Sequence, residues 1–145
     1  MSARTLVGLT LTALFSSAAC AQSVDGSFAS ASRFMERDGE TLYKNICAAC
    51  HMPNGEGARG AAAYPALARN AKLQAAGYPV FMVLNGRNAM PSFARFLSDA
   101  QVAAVVNYVR THFGNSHTDL VSAADVTPVR QANGSEAPSD PDPDF

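Results

Sequence analysis

The 145-residue chain is 48% hydrophobic and 16% charged, with a formal net charge of −1, which suits a single globular domain with a buried core. A nearly balanced charge without a basic run gives no support for nucleic-acid binding. The absence of Trp and an aromatic share of 8% leave the core thin for the length of the chain.

The N-terminus reads as a secretory signal. Arg4 supplies a positive start, and Leu6 to Phe15 form an apolar run of about ten residues, well short of the ~20 needed to span a bilayer. Small residues at Ala19-Cys20-Ala21 suit cleavage, so residues 1–21 are expected to be removed and the mature chain to begin at Gln22. The rival reading makes Cys20 a lipidated first residue, but Ser17 sits where such signals prefer an aliphatic side chain. No other segment has the length and apolarity of a membrane span. The expected location is the periplasm.

Residues 22–35 are small and polar and read as a flexible lead-in. Asp38 then caps a helix with Leu42 and Ile46 four apart and Tyr43 beside them. This helix runs into Cys47-Ala-Ala-Cys50-His51 and is ended by Pro53, Asn54, Gly55 and Gly57. The Gly- and Ala-rich stretch 54–63 would let the backbone lie close to a flat ligand. A helical stretch is expected around Ala68 to Ala76, broken by Gly77-Tyr78-Pro79. A short buried helix, Val80 to Leu84, follows and stops at Asn85-Gly86.

Ser98 and Gln101 form a capping-box pattern ahead of Val102, Val105, Val106, Val109 and Phe113 at helical spacing, with Gly114 closing the helix. One more short helix is expected from a cap at Ser122 to about Arg130. The tail from Gln131 to Phe145, with Pro138, Pro141 and Pro143 among four acidic residues, reads as disordered. The domain is thus expected over 36–115, with a C-terminal extension over 116–145.

With Cys20 lost or at the extreme N-terminus, two cysteines remain, two residues apart and followed at once by His51. That spacing is the attachment pattern of a c-type haem: two thiols on one helical turn reach both vinyl groups, and the histidine meets the iron from the same turn. A bare Cys-x-x-Cys could instead be a redox dithiol, but that reading expects a strand-to-helix context and has no use for His51. A covalently held haem would also supply the apolar area that the aromatic-poor core lacks.

Candidates for the second axial ligand are Met82, Met90, His112 and His117. Met82 falls in an apolar run where packing is the simpler role, and the two histidines lie in segments expected to be solvated. Met90, in an irregular loop and followed by Pro91, is favoured. A His/Met pair fills both axial positions, raises the reduction potential and leaves no open site for substrate. It therefore points to an electron carrier and not an enzyme. A haem sensor or enzyme with a labile sixth ligand is the less favoured alternative.

From Gly39 to Asn115 the chain resembles a class I cytochrome c domain, an all-α fold of three to five helices around one covalently bound haem. The resemblance implies that Gly39 and Tyr108 meet where the first and last helices cross. It also implies that the Pro65 carbonyl fixes the His51 imidazole and that Leu67 lines the haem pocket. Tyr64-Pro-Ala-Leu67, Met90-Pro-Ser-Phe93 and Leu97-Ser-Asp-Ala-Gln-Val102 further resemble haem domains of periplasmic dehydrogenase cytochrome subunits. The implied partners are a dehydrogenase donor and an oxidase or cytochrome acceptor, with stable membership of a dehydrogenase complex as the alternative. Residues 36–113 carry eight basic against five acidic side chains. Arg59, Arg69, Arg87 and Arg95, on loops expected near the haem, are candidates to pair a propionate or steer a partner.

Overall fold

A computed structural model describes residues 34–60 and 63–141. The expected signal peptide and nearly all of the lead-in lie outside the described residues, as do 61–62 and 142–145. Among the described residues no helix is long and apolar enough to cross a membrane.

The first helix, α1 (Gly39–Leu42), begins where expected, with the Asp38 carboxylate accepting from the Thr41 amide at 2.8 Å. The run then widens into a π turn, Tyr43–Cys47, in which the Ala48 amide donates five residues back to the Tyr43 carbonyl. It resumes as α2 (Ala48–His51) and ends at Met52, whose φ of 64° leaves the helical region. Tyr43 is fully buried, and its hydroxyl donates to the Met52 carbonyl at 2.7 Å, tying the start of the run to its end. Burial is the main reason its phenol is pushed up to about 12.

Three local expectations differ. A two-stranded antiparallel hairpin, β1 (Ala58–Arg59) with β2 (Ala63–Tyr64), occupies part of the Gly- and Ala-rich stretch. There Gly57, at φ +67°, abuts backbone and not an open face: a Cβ would stand 2.4 Å from the Tyr64 carbonyl oxygen. The helix expected over 68–76 is only a 3-10 turn, Ala71–Gln74. It is shortened because Arg69 takes a positive φ and Asn70 caps the turn from extended backbone. Gly77 and Tyr78, read as breakers, instead open α3 (Gly77–Asn85), with Pro79 tolerated in its first turn.

The capping box forms as read: Ser98 Oγ accepts from the Gln101 amide at 3.3 Å and Gln101 Oε1 from the Ser98 amide at 2.9 Å. It starts α4 (Asp99–Thr111), whose Val102, Val105, Val106 and Val109 are buried. Phe113 lies beyond the helix end yet still reaches the core, its ring centroid 4.8 Å from that of Tyr43. The last helix, α5 (Ala123–Ala132), is capped by Ser122 and packs on α3 and α4, burying Val126.

Gly39 sits where α1 crosses α4. A Cβ there would lie 2.2 Å from the Ala104 carbonyl oxygen and 2.8 Å from Tyr108 Cβ. The two backbones are therefore nearly in contact, with the Tyr43 and Tyr108 rings packed at a tilt beside the crossing, 5.6 Å between centroids.

Candidate functional site

The helical run ends by delivering Cys47, Cys50 and His51 to one side of the molecule. Cys47 and His51 line an apolar cavity of about 180 Å³ walled by Leu67, Leu73, Met82, Val105, Val106 and Met90. An adjoining cavity of about 290 Å³ shares Cys47, His51, Met82 and Met90 and adds Cys50, Arg87 and Phe93. Both cysteines are free thiols. Burial, reinforced by the neighbouring Cys50, pushes the Cys47 thiol up to about 12.

His51 is buried, and its Nδ1 lies 2.9 Å from the Pro65 carbonyl oxygen. A carbonyl can only accept, so Nδ1 carries the proton and the Nε2 lone pair is left for another partner. The Pro65 segment is held there by backbone. The Leu67 and Ala68 amides both donate to the Gly55 carbonyl, at 2.7 and 2.9 Å, and the Gly57 amide donates to the His51 carbonyl at 3.0 Å. Leu67 lines the cavity.

Met90 also lines both cavities. Its backbone is pinned in a reciprocal pair with Arg87, N to O at 2.9 and 3.0 Å. This turn needs Gly86: at φ +67°, a Cβ would stand 2.4 Å from the Met90 carbonyl oxygen. The Phe93 amide donates to the Val83 carbonyl at 3.0 Å, fastening the loop to α3.

Met82 differs from the sequence reading. It is half-exposed and lines both cavities instead of joining the buried core, because α3 turns Val80 and Leu84 inward and leaves Met82 on the cavity face. Neither histidine candidate lines these cavities. His112 is exposed and stacks on Tyr108 at 4.1 Å, and the His117 amide is bonded to the Arg110 carbonyl. Of the four arginines, Arg87 lines the larger cavity, Arg69 packs against Gly114, and Arg59 and Arg95 are elsewhere on the surface. Lys72, not singled out in sequence, lines both cavities.

Two buried residues escaped sequence reading. Asn115 donates to the Leu67 and Val109 carbonyls, each at 2.9 Å, and accepts from the Asn70 amide at 3.0 Å, locking the wall segment onto α4. Arg110, fully buried, donates to the carbonyls of Leu73 and Gln74 and pairs with Asp119 at 2.7 Å. Arginine inside a valine-rich helical stripe was the available signal, because a guanidinium enters a core only with acceptors waiting.

An imidazole with one free lone pair, thioethers lining the same cavity and a thiol pair at its edge are donors that suit a porphyrin iron. The cavity walls are otherwise mainly apolar, with Asn70 and Lys72 as polar exceptions, which suits a macrocycle. Helices closing on such a cavity define a class I c-type cytochrome. Residues 35–109 match the family model described as Cytochrome C oxidase, cbb3-type, subunit III, and the chain belongs to this family of cytochrome c domains. Membership of this family implies that the chain binds haem c.

It is similar to the fructose dehydrogenase cytochrome subunit of Gluconobacter japonicus, 33% identical over 116 residues, which cover 70% of this chain and 23% of that protein. The alcohol dehydrogenase (quinone) cytochrome c subunit of Gluconacetobacter polyoxogenes is 35% identical over 105 residues, 63% of this chain and 22% of that subunit. Cytochrome c6 of Synechococcus elongatus is 36% identical over 76 residues, half of this chain and 84% of that protein. The chain thus spans less than a quarter of the length of the two dehydrogenase subunits.

Proposed function

We propose that the protein is a periplasmic single-haem carrier that relays single electrons from a dehydrogenase to a downstream oxidase or cytochrome. Cys47 and Cys50 hold the haem by two thioethers, and His51 and Met90 are its iron ligands. The observation that carries this reading is the His51 Nδ1 contact with the Pro65 carbonyl at 2.9 Å, which leaves Nε2 free beside a cavity that Met90 also lines.

Bound there, the haem supplies a one-electron iron couple, and thioether ligation favours its reduced state. The chain's own residues do the rest. Pro65 fixes the tautomer and plane of the imidazole and, by accepting the Nδ1–H hydrogen bond, raises ligand basicity. Leu67, Leu73, Val105, Val106 and Val109 would exclude water from a haem held in the cavity they line. The Arg87–Met90 backbone pair and Gly86 set the position from which the thioether of Met90 reaches into the cavity. Lys72 and Arg87 put positive charge beside the cavity, where they would face propionates or an acidic partner.

Met90 is preferred to Met82 because Gly86 and the reciprocal backbone pair with Arg87 hold its loop against the cavity. Substituting each with Ala in the holoprotein separates them. Met90→Ala is expected to abolish the long-wavelength band of methionine-ligated ferric iron and lower the potential, and Met82→Ala to retain both. The reverse result would transfer the role to Met82.

Export rests on the apolar run Leu6 to Phe15 and the small residues at 19–21. Mass spectrometry of the mature protein is expected to give Gln22 as its first residue, and a lipidated Cys20 would replace the free carrier with an anchored one. A second reading, a stable haem subunit of a dehydrogenase complex, is favoured by the names of the fructose and alcohol dehydrogenase relatives. Co-purification with a dehydrogenase would select it.

A further inference from the structure

The last helix lies beyond residues 35–109, the span matched by the family. Its buried charge nevertheless reaches back to the loop after Met90. Arg130 is 2% exposed and uses donors on all three guanidinium nitrogens. Nε meets Asp99 Oδ1 at 2.6 Å, one terminal nitrogen meets the Leu97 carbonyl at 2.8 Å, and the other bonds the Ala94 carbonyl. The second oxygen of Asp99 accepts from the Thr127 hydroxyl at 2.6 Å, so α5 grips this carboxylate twice.

We propose that α5 is a clasp on the Met90 loop and that Arg130 is a positioning residue for the sixth iron ligand, a role that rests on reading Met90 as that ligand. Met90 stands four residues before Ala94, and the segment between Met90 and α4 is held from two sides. On one side α3 takes the Phe93 amide through the Val83 carbonyl. On the other, Arg130 takes the Ala94 and Leu97 carbonyls, and both of those residues are buried.

Without the guanidinium, the buried Ala94 and Leu97 carbonyls lose this donor, and the largely buried Asp99 carboxylate keeps only the Thr127 hydroxyl. The segment is then fastened through α3 alone. Detaching a methionine from iron requires its loop to move outward, and loops held by few bonds open first. The clasp therefore controls how often the iron face is uncovered, although Arg130 does not line the cavity.

The test is an imidazole titration of the oxidised holoprotein, following loss of the long-wavelength methionine band. It compares wild type, Arg130→Met, Arg130→Lys and Leu42→Ala. The last weakens α1 packing and controls for lost stability. Arg130→Met is expected to bind imidazole about tenfold more tightly than the Leu42→Ala control compared at equal loss of Tm. Arg130→Lys, which can pair with Asp99 but cannot span both carbonyls, should fall between wild type and Arg130→Met. Amide exchange at Phe93 and Leu97 should quicken in parallel while exchange at Met52 does not.

Equal imidazole affinity in Arg130→Met and the stability control would overturn the clasp while leaving the ligand reading intact. Retention of the methionine band in Met90→Ala would overturn both. Where Arg130→Met yields no folded holoprotein, Arg130→Lys decides by the same criterion.

Discussion

Replacing Gly39 by Ala sets two known effects against each other. In an exposed helix the change would add stability, because Ala is favoured over Gly by about 0.5–1 kcal/mol. Here the new methyl would stand 2.2 Å from the Ala104 oxygen, 2.8 Å from the Ala104 carbonyl carbon and 2.8 Å from Tyr108 Cβ. Two of these atoms are backbone of α4 and the third is its side-chain root, so no rotamer change relieves them. Reaching an ordinary contact of roughly 3.5 Å requires α1 and α4 to separate by about 1 Å.

That separation loosens Leu42 and Tyr43, both fully buried, and Val102 and Val105 on the facing helix. Overpacking of this kind costs about 1–3 kcal/mol, commonly more when backbone must move, so the net loss should be about 1–2 kcal/mol after the helical gain. For a domain of this size the midpoint should fall by roughly 4–10 °C. Thermal unfolding of the holoprotein, read by circular dichroism and by the haem absorption, measures it. A Gly39→Ala variant as stable as wild type or more so would show that helix propensity outweighs the close approach, and the reasoning would fail.

Asn115→Ala should cost about 3 kcal/mol, because one buried and two part-buried backbone partners, at Val109, Leu67 and Asn70, lose their bonds together. In urea this should lower the midpoint by roughly 1–2 M, and a shift below about 0.3 M would refute the lock between the cavity wall and α4. At the other end of the chain, hydrogen bonds from the Ser122 hydroxyl and then its amide hold the Asp125 carboxyl below its usual 3.8. The lowered folded value means that this carboxylate stabilises the start of α5 fully above pH 3.8, and that the contribution fades as pH falls through the folded value. Asp125→Asn, followed by helical signal against pH, should remove that acid-side loss. An unchanged acid limb would contradict it.

Much of the site could be read directly from local sequence. Asp38 and the Ser98–Gln101 box had to cap helices because their side chains reach amides within one turn. Cys47, Cys50 and His51 are fixed relative to one another by a helical turn and therefore by spacing alone. The Gly39–Tyr108 crossing and the Pro65–His51 bond were expected from resemblance, and the coordinates give each a distance. Short-range chemistry, repeated in chain order, sufficed for these.

Other features depended on which distant segments meet. Sequence favours Met90 and reads Met82 as packing, and only the tertiary arrangement of α3 shows Met82 facing the same cavity. Arg69 and Asn70 ended a helix that composition favoured, because Asn115, 45 residues away, claims the Asn70 amide. The extension after 115 read as an appendage, yet α5 buries Val126 and Arg130 against the body. A guanidinium belongs in a core only when carbonyls from another segment are already turned toward it. No local pattern announces that meeting. The haem-binding motif and its helix were therefore determined by sequence, whereas the shape of the cavity and what holds its far wall were decided by tertiary structure.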